Sequence, residues 1–207
     1  MRLGFNLLGI AVWVILILYL VFIIQNIRKR HLKMIVQDRK RFEGKTLAID
    51  LVEIIVMLVA AVFMIKVTFF DNPNLNDQQA ISSHVEYRPL ILTTGTHKSY
   101  YVTASSAKKT RPVQSYTFYS DGNKYTVDSR YATVVTDNKA TTVNAGMIPF
   151  NKRSLEKADN RYQRAYVAVY TATYRNNWRN GLGLHAGRLA MRYYYLRVPD
   201  ATFVREK

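Results

Sequence analysis

Two long apolar runs open the chain, and nothing like them follows. From Leu3 to Ile24 there is no charged residue, and Asn6 is the only strongly polar side chain; from Thr46 to Phe70 the run carries only Asp50, Glu53 and Lys66. An α-helix rises about 1.5 Å per residue and the hydrocarbon layer of a bilayer is about 30 Å thick, so roughly 20 residues span it. Both runs meet that length and are predicted to be transmembrane helices. The first exceeds the roughly 7–15 apolar residues of a secretory signal and ends in "QNIRKR" without an A-x-A-like site, so it reads as an uncleaved helix.

After Phe70 the pattern changes. Residues 71–82, "DNPNLNDQQAIS", are rich in Asn, Asp and Gln and read as a linker. Beyond it, short alternating stretches replace long apolar runs. In "SYTFYSDGNKYTVD" an Asp-Gly pair sits between two alternating segments, which is a two-residue hairpin signal. With Asp121 and Gly122 as the loop, Phe118 is set opposite Tyr125 and Tyr116 opposite Val127. Thr117, Tyr119, Lys124 and Thr126 then share the other, polar face, as expected of a sheet buried on one side. Further strands are predicted at "RPLILTT", "SYYVTAS", "ATVVT", "AYVAVYTATY" and "AMRYYYLRV", with a short charged helix at "NKRSLEKADN". "RNNWRNGLGLHAGR" reads as a turn-rich connection or a long hairpin loop.

Charge then orients the apolar runs. Gln25–Lys45 carries eight Lys/Arg (Arg28, Lys29, Arg30, Lys33, Arg39, Lys40, Arg41 and Lys45) against Asp38 and Glu43. Short loops rich in Lys and Arg stay in the cytoplasm. The expectation is a cytoplasmic loop with both chain ends outside. In the plainer reading that charge only sets topology. In the other, Ile27, Met34 or Ile35, and Phe42 recur at helical spacing, and the first helix continues as a basic amphipathic segment against anionic headgroups. Asp50 and Glu53, three residues apart, face one way on the second helix. A carboxylate near the hydrocarbon boundary is costly unless paired, so Glu53 is expected to meet Gln25, Arg28 or Lys29 of the first helix. The pair is either an interfacial anchor or part of a proton- or ion-coupled site.

The text "IIQNIRKRHLKMI", "SYYVTASSAKK", "RYQRAYVAVYTATY" and "YYYLRVPD", spread over nearly the whole chain, resembles an uncharacterised family of two-pass membrane proteins from lactic-acid bacteria. The resemblance implies a membrane-anchored protein of bacterial origin. It implies no activity, ligand or site residue.

Candidate chemistry is sparse. The chain has no cysteine, which excludes disulfides, thiolate catalysis and Cys-based metal sites, and suits a domain outside a single-membrane bacterium. His31, His84, His97 and His185 lack metal-ligand spacing, "GLGLHAG" is neither a dinucleotide fingerprint nor a P-loop, and no G-x-S-x-G occurs. No enzyme and no cofactor are expected. What stands out is charge with aromatics. Residues 71–207 hold twenty Lys/Arg against ten Asp/Glu, a formal +10, and fourteen of the fifteen tyrosines. Tyr162, Tyr166, Tyr170 and Tyr174 recur every fourth residue. The β-branched Val167, Val169, Thr171 and Thr173 between them favour a strand. Tyrosine packing against Ala168 and Ala172 is the ordinary reading. The functional one is an aromatic and cationic platform of Tyr166 and Tyr170 with Arg161, Arg164, Arg175, Arg179, Arg188 and Arg192, Lys108 and Lys109 standing apart from it.

The expected architecture is an α+β membrane protein. A transmembrane hairpin (helix 1–27, basic loop 28–45, helix 46–70) leads through the linker 71–82 into a mainly antiparallel β domain, 83–207, with a short helix, outside the cytoplasm. Its expected partners are the lipid bilayer and an anionic cell-wall polymer or another envelope protein, with nucleic acid disfavoured for want of a binding motif. The leading functional expectation is a membrane-anchored bacterial surface protein whose basic, Tyr-rich domain binds or scaffolds at the cell envelope. A non-catalytic subunit or regulator acting through its helix pair, and a surface enzyme of unrecognised chemistry, stay open as alternatives.

Overall fold

The computed structural model describes residues 4–36, 43–70, 74–95, 98–106, 114–136, 139–140 and 146–206. Asp38, Arg39, Lys40, Arg41, Phe42, His97, Lys108 and Lys109, all named above, lie outside the described residues. The molecule is α+β, with two long apolar helices followed by mixed sheets. It divides into two compact units: Met1–Asn74 with Tyr174–Arg188, and Leu75–Thr173 with Leu189–Lys207. The division departs from the expected boundaries at Tyr174–Arg188, which groups with the helices.

The first unit is built on α1 (Asn6–Val36) and α2 (Gly44–Ile65), the latter prolonged by a π-helical turn, Lys66–Phe70. Residues 28–36, placed in the loop from sequence, continue α1 without a break. At 31 residues, α1 is about 46 Å long and outreaches a hydrocarbon core of about 30 Å. Both helices are long and apolar enough to cross a membrane. Their burial follows a seven-residue beat. On α1, Gly9, Leu16 and Ile23 are buried, and Arg30 falls at the next step. On α2 the less exposed positions include Thr46, Asp50, Glu53, Met57, Ala60 and Met64. Alternating steps of three and four residues define a narrow seam. Off the seam the surface stays apolar, with Ile15, Leu18, Phe22, Val59, Val62 and Phe63 all exposed. The short α4 (Trp178–Leu182) completes this unit.

In the second unit, β1 (Ile81–Pro89), β7 (Ala132–Thr136), β8 (Lys139–Ala140), β9 (Tyr166–Tyr174) and β10 (Leu189–Arg197) form one sheet in the order β1-β9-β10-β7-β8. A second sheet runs β11-β4-β5-β6, from β4 (Val102–Ser106), β5 (Gln114–Ser120), β6 (Asn123–Asp128) and β11 (Val204–Glu206). The short β2 (Thr93–Thr94) and β3 (Ser99–Tyr100) pair separately. The hairpin register agrees with the sequence expectation: Tyr116 opposes Val127, Phe118 opposes Tyr125 and Tyr119 opposes Lys124. Asp121 and Gly122 both have positive φ, 50° and 75°, as a type I′ turn requires. β9 and β10 pair antiparallel. The expectation of a mainly antiparallel domain misses two parallel pairings, β10 with β7 and β11 with β4, which make both sheets mixed.

The core explains the alternation in β9. Its odd face supplies Val167 to a cluster with Val102, Tyr116 and Phe118 of the second sheet. Its even face packs Tyr166 and Ala168 against Ala158, Leu155 and Phe150, and Tyr170 and Ala172 against Ile81, Ile148 and Tyr193. Ala158 and Leu155 belong to α3 (Lys152–Tyr162), which Asn151 caps by accepting hydrogen bonds from the Arg153 and Ser154 amides. Covered on both faces, β9 is nearly continuous in buried residues. Beneath α3 the buried Arg197, 3% exposed, lies 3.6 Å from the partly exposed Asp159, and Tyr166 donates its phenol to the same carboxylate at 2.9 Å.

Candidate functional site

Strand alternation builds a polar hollow on the solvent face of the second sheet. Val102, Ala104, Tyr116 and Phe118 point into the core, so Thr103, Ser105, Thr117 and Tyr119 must point outward. Pairing lines them up. Arg205 sits beside Thr103, Thr103 opposes Thr117, and Thr117 opposes Thr126, a row about 14 Å long at roughly 4.8 Å per strand. The hollow holds about 260 Å³ and is lined by Tyr100, Thr103, Ser105, Thr117 and Tyr119, with Lys124 and Arg205 as its charges and, among the described residues, no carboxylate. Hydroxyls bond across strands, Ser105 to Ser115 at 3.1 Å and Thr117 to Thr126 at 3.0 Å. The Arg205 guanidinium lies over the Tyr100 ring, 5.4 Å from its centroid, a cation–π contact that orients it. Hydroxyls able to donate and accept, flanked by two cations, suit an anion carried on a polyhydroxylic chain.

A second cavity of about 260 Å³ opens between the sheets, lined among others by Glu86, Arg88, Tyr125, Thr171 and Arg192. Arg88 is already engaged there: it donates to Glu86 at 2.7 Å and to the Tyr125 hydroxyl at 3.3 Å, and lies 3.6 Å from Asp121. The hydrogen bond from Arg88 holds the Glu86 carboxyl below the usual carboxylate range, and the same bond raises the arginine. With Arg88 engaged by these carboxylates, the cavity offers fewer cations to an anion than the open hollow.

The arginine–tyrosine platform does not assemble as expected. Tyr166 and Tyr170 are both 0% exposed, so neither presents a ring to a surface ligand. Arg164 and Arg192 lie in the second unit, whereas Arg175, Arg179 and Arg188 lie in the first. Arg192 pairs with Thr171, five residues and so about 17 Å along β9 from Tyr166, and Arg164 lies beyond that end of the strand. Arg161 stacks on Tyr162, 5.4 Å from the ring centroid. Arg205 was overlooked because β11 is parallel to β4, a pairing no local signal announces, whereas Lys124 falls on the polar face already read from the hairpin. Only that face pointed to the hollow.

The helix pair carries its own polar cluster. Glu53 faces α1, but its partners lie one helical position beyond the expected Gln25 and Lys29: Asn26 donates to it at 3.1 Å, and Arg30 forms an ion pair with it. The same guanidinium lies 3.2 Å from Asp50, which the His31 ring also approaches, at 3.1 Å. Arg28 does not take part in these contacts. One guanidinium thus sits between two carboxylates that would otherwise repel each other along α2.

Among the described residues no three His, Asp or Glu side chains come together as metal ligands. A family model described as ":-like" matches residues 4–205. No curated protein and no solved structure matches the chain.

Proposed function

The chain belongs to the family whose model spans residues 4–205, an uncharacterised family with no assigned activity, and on that premise we propose that it is a two-pass bacterial membrane protein displaying a basic β domain outside the cytoplasm. Its role is binding, without catalysis, and its partner is an anionic polymer of the cell wall. Gln25–Lys45 is the cytoplasmic side and both termini are outside. The support for this orientation is the excess of eight Lys/Arg over two acids in that loop. Support for a membrane setting is the exposed apolar surface of α1 and α2 off their seam, which favours lipid over water at about 25 cal/mol per Å².

The observation that carries the binding role is the hydroxyl-lined hollow with Lys124 and Arg205 and no carboxylate among the described residues that line it. Phosphodiester groups of a wall polymer would meet the two cations while its hydroxyls meet Thr103, Ser105 and Thr117. The test uses the full chain in lipid nanodiscs, titrated with poly(glycerol phosphate). Binding should be present at low ionic strength and fall steeply as salt rises, since the screening length is about 10 Å at 0.1 M. Lys124→Ala with Arg205→Ala should weaken it about tenfold, or about 1.4 kcal/mol. Arg153→Ala with Lys157→Ala, on exposed α3, should leave it nearly unchanged. Equal loss from both pairs would mean diffuse attraction, and no binding at low salt would end the proposal.

A second reading, a subunit or regulator of a membrane complex acting through the helix pair, is favoured by the Arg30–Asp50–Glu53 cluster alone. It requires that substitutions in this cluster abolish function while hollow substitutions do not.

A further inference from the structure

Tyr174–Arg188, joining β9 to β10, belongs with the helices, and its construction has no counterpart in an ordinary hairpin loop. The base is closed by two backbone bonds, the Tyr174 amide donating to Arg188 at 2.9 Å and the Gly187 amide donating to Tyr174 at 3.1 Å. Within the loop the Asn177 side chain caps α4 by accepting from the Asn180 amide at 2.9 Å, and buried Asn180 donates to the Arg175 carbonyl at 2.8 Å. A segment that pairs these backbone groups internally can lie beside an apolar phase.

Contact with α1 is backbone against backbone. A Cβ on Gly9 would fall 2.5 Å from the Gly181 carbonyl oxygen, and one on Gly181 would collide with the Phe5 backbone. A Cβ on Gly183 would fall 2.8 Å from the Val67 carbonyl oxygen. Asn6 completes the seat: its amide donates to the Ala186 carbonyl and its oxygen accepts from the Ala186 amide, both at 3.0 Å. These contacts set α4 level with the first turns of α1 and the end of α2, where the apolar helix surface ends in exposed Phe5, Phe69 and Phe70. At that level α4 turns Trp178 outward, 61% exposed, with exposed Arg175 and Arg179 on either side of it in sequence.

We propose that Tyr174–Arg188 is an interfacial anchor, with the Trp178 indole seated at the headgroup–acyl boundary and Arg175 and Arg179 on the phosphates of the same leaflet. An indole is apolar over its body and donates from one edge, which suits that boundary. Arginine reaches phosphate with two parallel hydrogen bonds and covers apolar surface with its stem. The occupant is the bilayer because the exposed indole lies at the level where the exposed apolar surface of α1 and α2 ends. The inference rests on the membrane reading above, and its test separates the two.

The full chain is placed in nanodiscs whose phospholipids carry bromine shallow in the acyl chains, and tryptophan emission is read. The two tryptophans are Trp13 and Trp178. In Trp13→Phe, emission from Trp178 should drop at least twofold with brominated lipid and resist aqueous iodide. Arg175→Glu with Arg179→Glu should raise access of the neutral quencher acrylamide at least twofold. In Trp178→Phe, Trp13 should be quenched by brominated lipid whether or not the anchor exists. Trp13 quenched with Trp178 open to iodide overturns the anchor alone, whereas both unquenched overturns the membrane reading. Unchanged acrylamide access in the double Glu variant overturns the arginine–phosphate contact. Should Trp13→Phe fail to fold, 5-fluorotryptophan in the unsubstituted chain gives the same comparison by ¹⁹F relaxation from spin-labelled lipid, with Trp178→Phe assigning the signals.

Discussion

Arg30 of α1 and Glu53 of α2 form an ion pair across the helix seam, and the same guanidinium lies 3.2 Å from Asp50. Removing Glu53 leaves Arg30 a second carboxylate. Removing Arg30 leaves two carboxylates on one face of α2 with, among the described residues, Asn26 and His31 beside them. Arg30→Met should therefore damage the helix pair more than Glu53→Leu. Its cost should lie near the lower end of the roughly 3–5 kcal/mol lost when one partner of a buried pair is removed, because these side chains are about one-fifth exposed. Steady-state protein level and disulfide crosslinking between cysteines introduced at Ile23 and Met57 measure it. Equal loss from both variants would show that Arg30 does not bridge the two carboxylates.

Gly9 and Gly181 leave no room for a methyl group, since a Cβ on either meets backbone that cannot rotate away. Gly181→Ala should lift Tyr174–Arg188 from α1 at a cost of about 1–3 kcal/mol, the range for overpacked sites. Trypsin cleavage after Arg175 or Arg179 reports this, and should rise severalfold. Gly146→Ala, where a Cβ meets nothing within 4 Å, should leave cleavage unchanged.

Three phenols titrate late for a shared reason. Burial raises the Tyr87, Tyr166 and Tyr195 hydroxyls above the usual phenol range, and at Tyr166 the hydrogen bond to Asp159 adds to it. A raised folded-state pKa gives a stability contribution that is complete below the unfolded value, about 10, and is lost as pH rises through the folded values. Stability should thus decline from about pH 10 upward. Tyr166→Phe should lower stability at neutral pH, through the lost hydrogen bond, and flatten the alkaline decline. Chemical unfolding at pH 8, 10 and 11 checks both, and an equally steep decline in Tyr166→Phe would contradict the assignment.

Some of this architecture was legible in the chain and some was not, for physical reasons. The transmembrane candidates and the Asp121–Gly122 hairpin could be read because each is written locally, as an apolar length and as a turn that fixes register. The partner of Glu53 was missed by one helical step, because helix phase depends on the whole seam. The even face of β9 reads first as ordinary packing and second as a platform open to solvent. Its fate is decided by α3, Ile148 and Phe150, which cover it from elsewhere in the sequence. The "GLGLHAG" glycines read as turn residues, yet Gly181 and Gly183 serve close approach to Phe5 and Val67. The hollow's Arg205 reaches Thr103 through a parallel pairing of strands about a hundred residues apart, which leaves no local trace.

One measurement tests the central claim, that the Lys124–Arg205 hollow faces the cell exterior and holds an anionic polymer. The chain has no cysteine, so a single introduced thiol reports cleanly. Thr126→Cys places it at the end of the Arg205–Thr103–Thr117 row without removing either cation, and Lys33→Cys places it in the basic segment of α1. On intact cells stripped of wall polymer, an impermeant thiol reagent should label position 126, and added poly(glycerol phosphate) should protect it at low salt but not at high salt. Position 33 should label only after the membrane is opened. Labelling at 33 but not at 126 on intact cells would contradict the orientation, and labelling at 126 that the polymer never slows would contradict the binding.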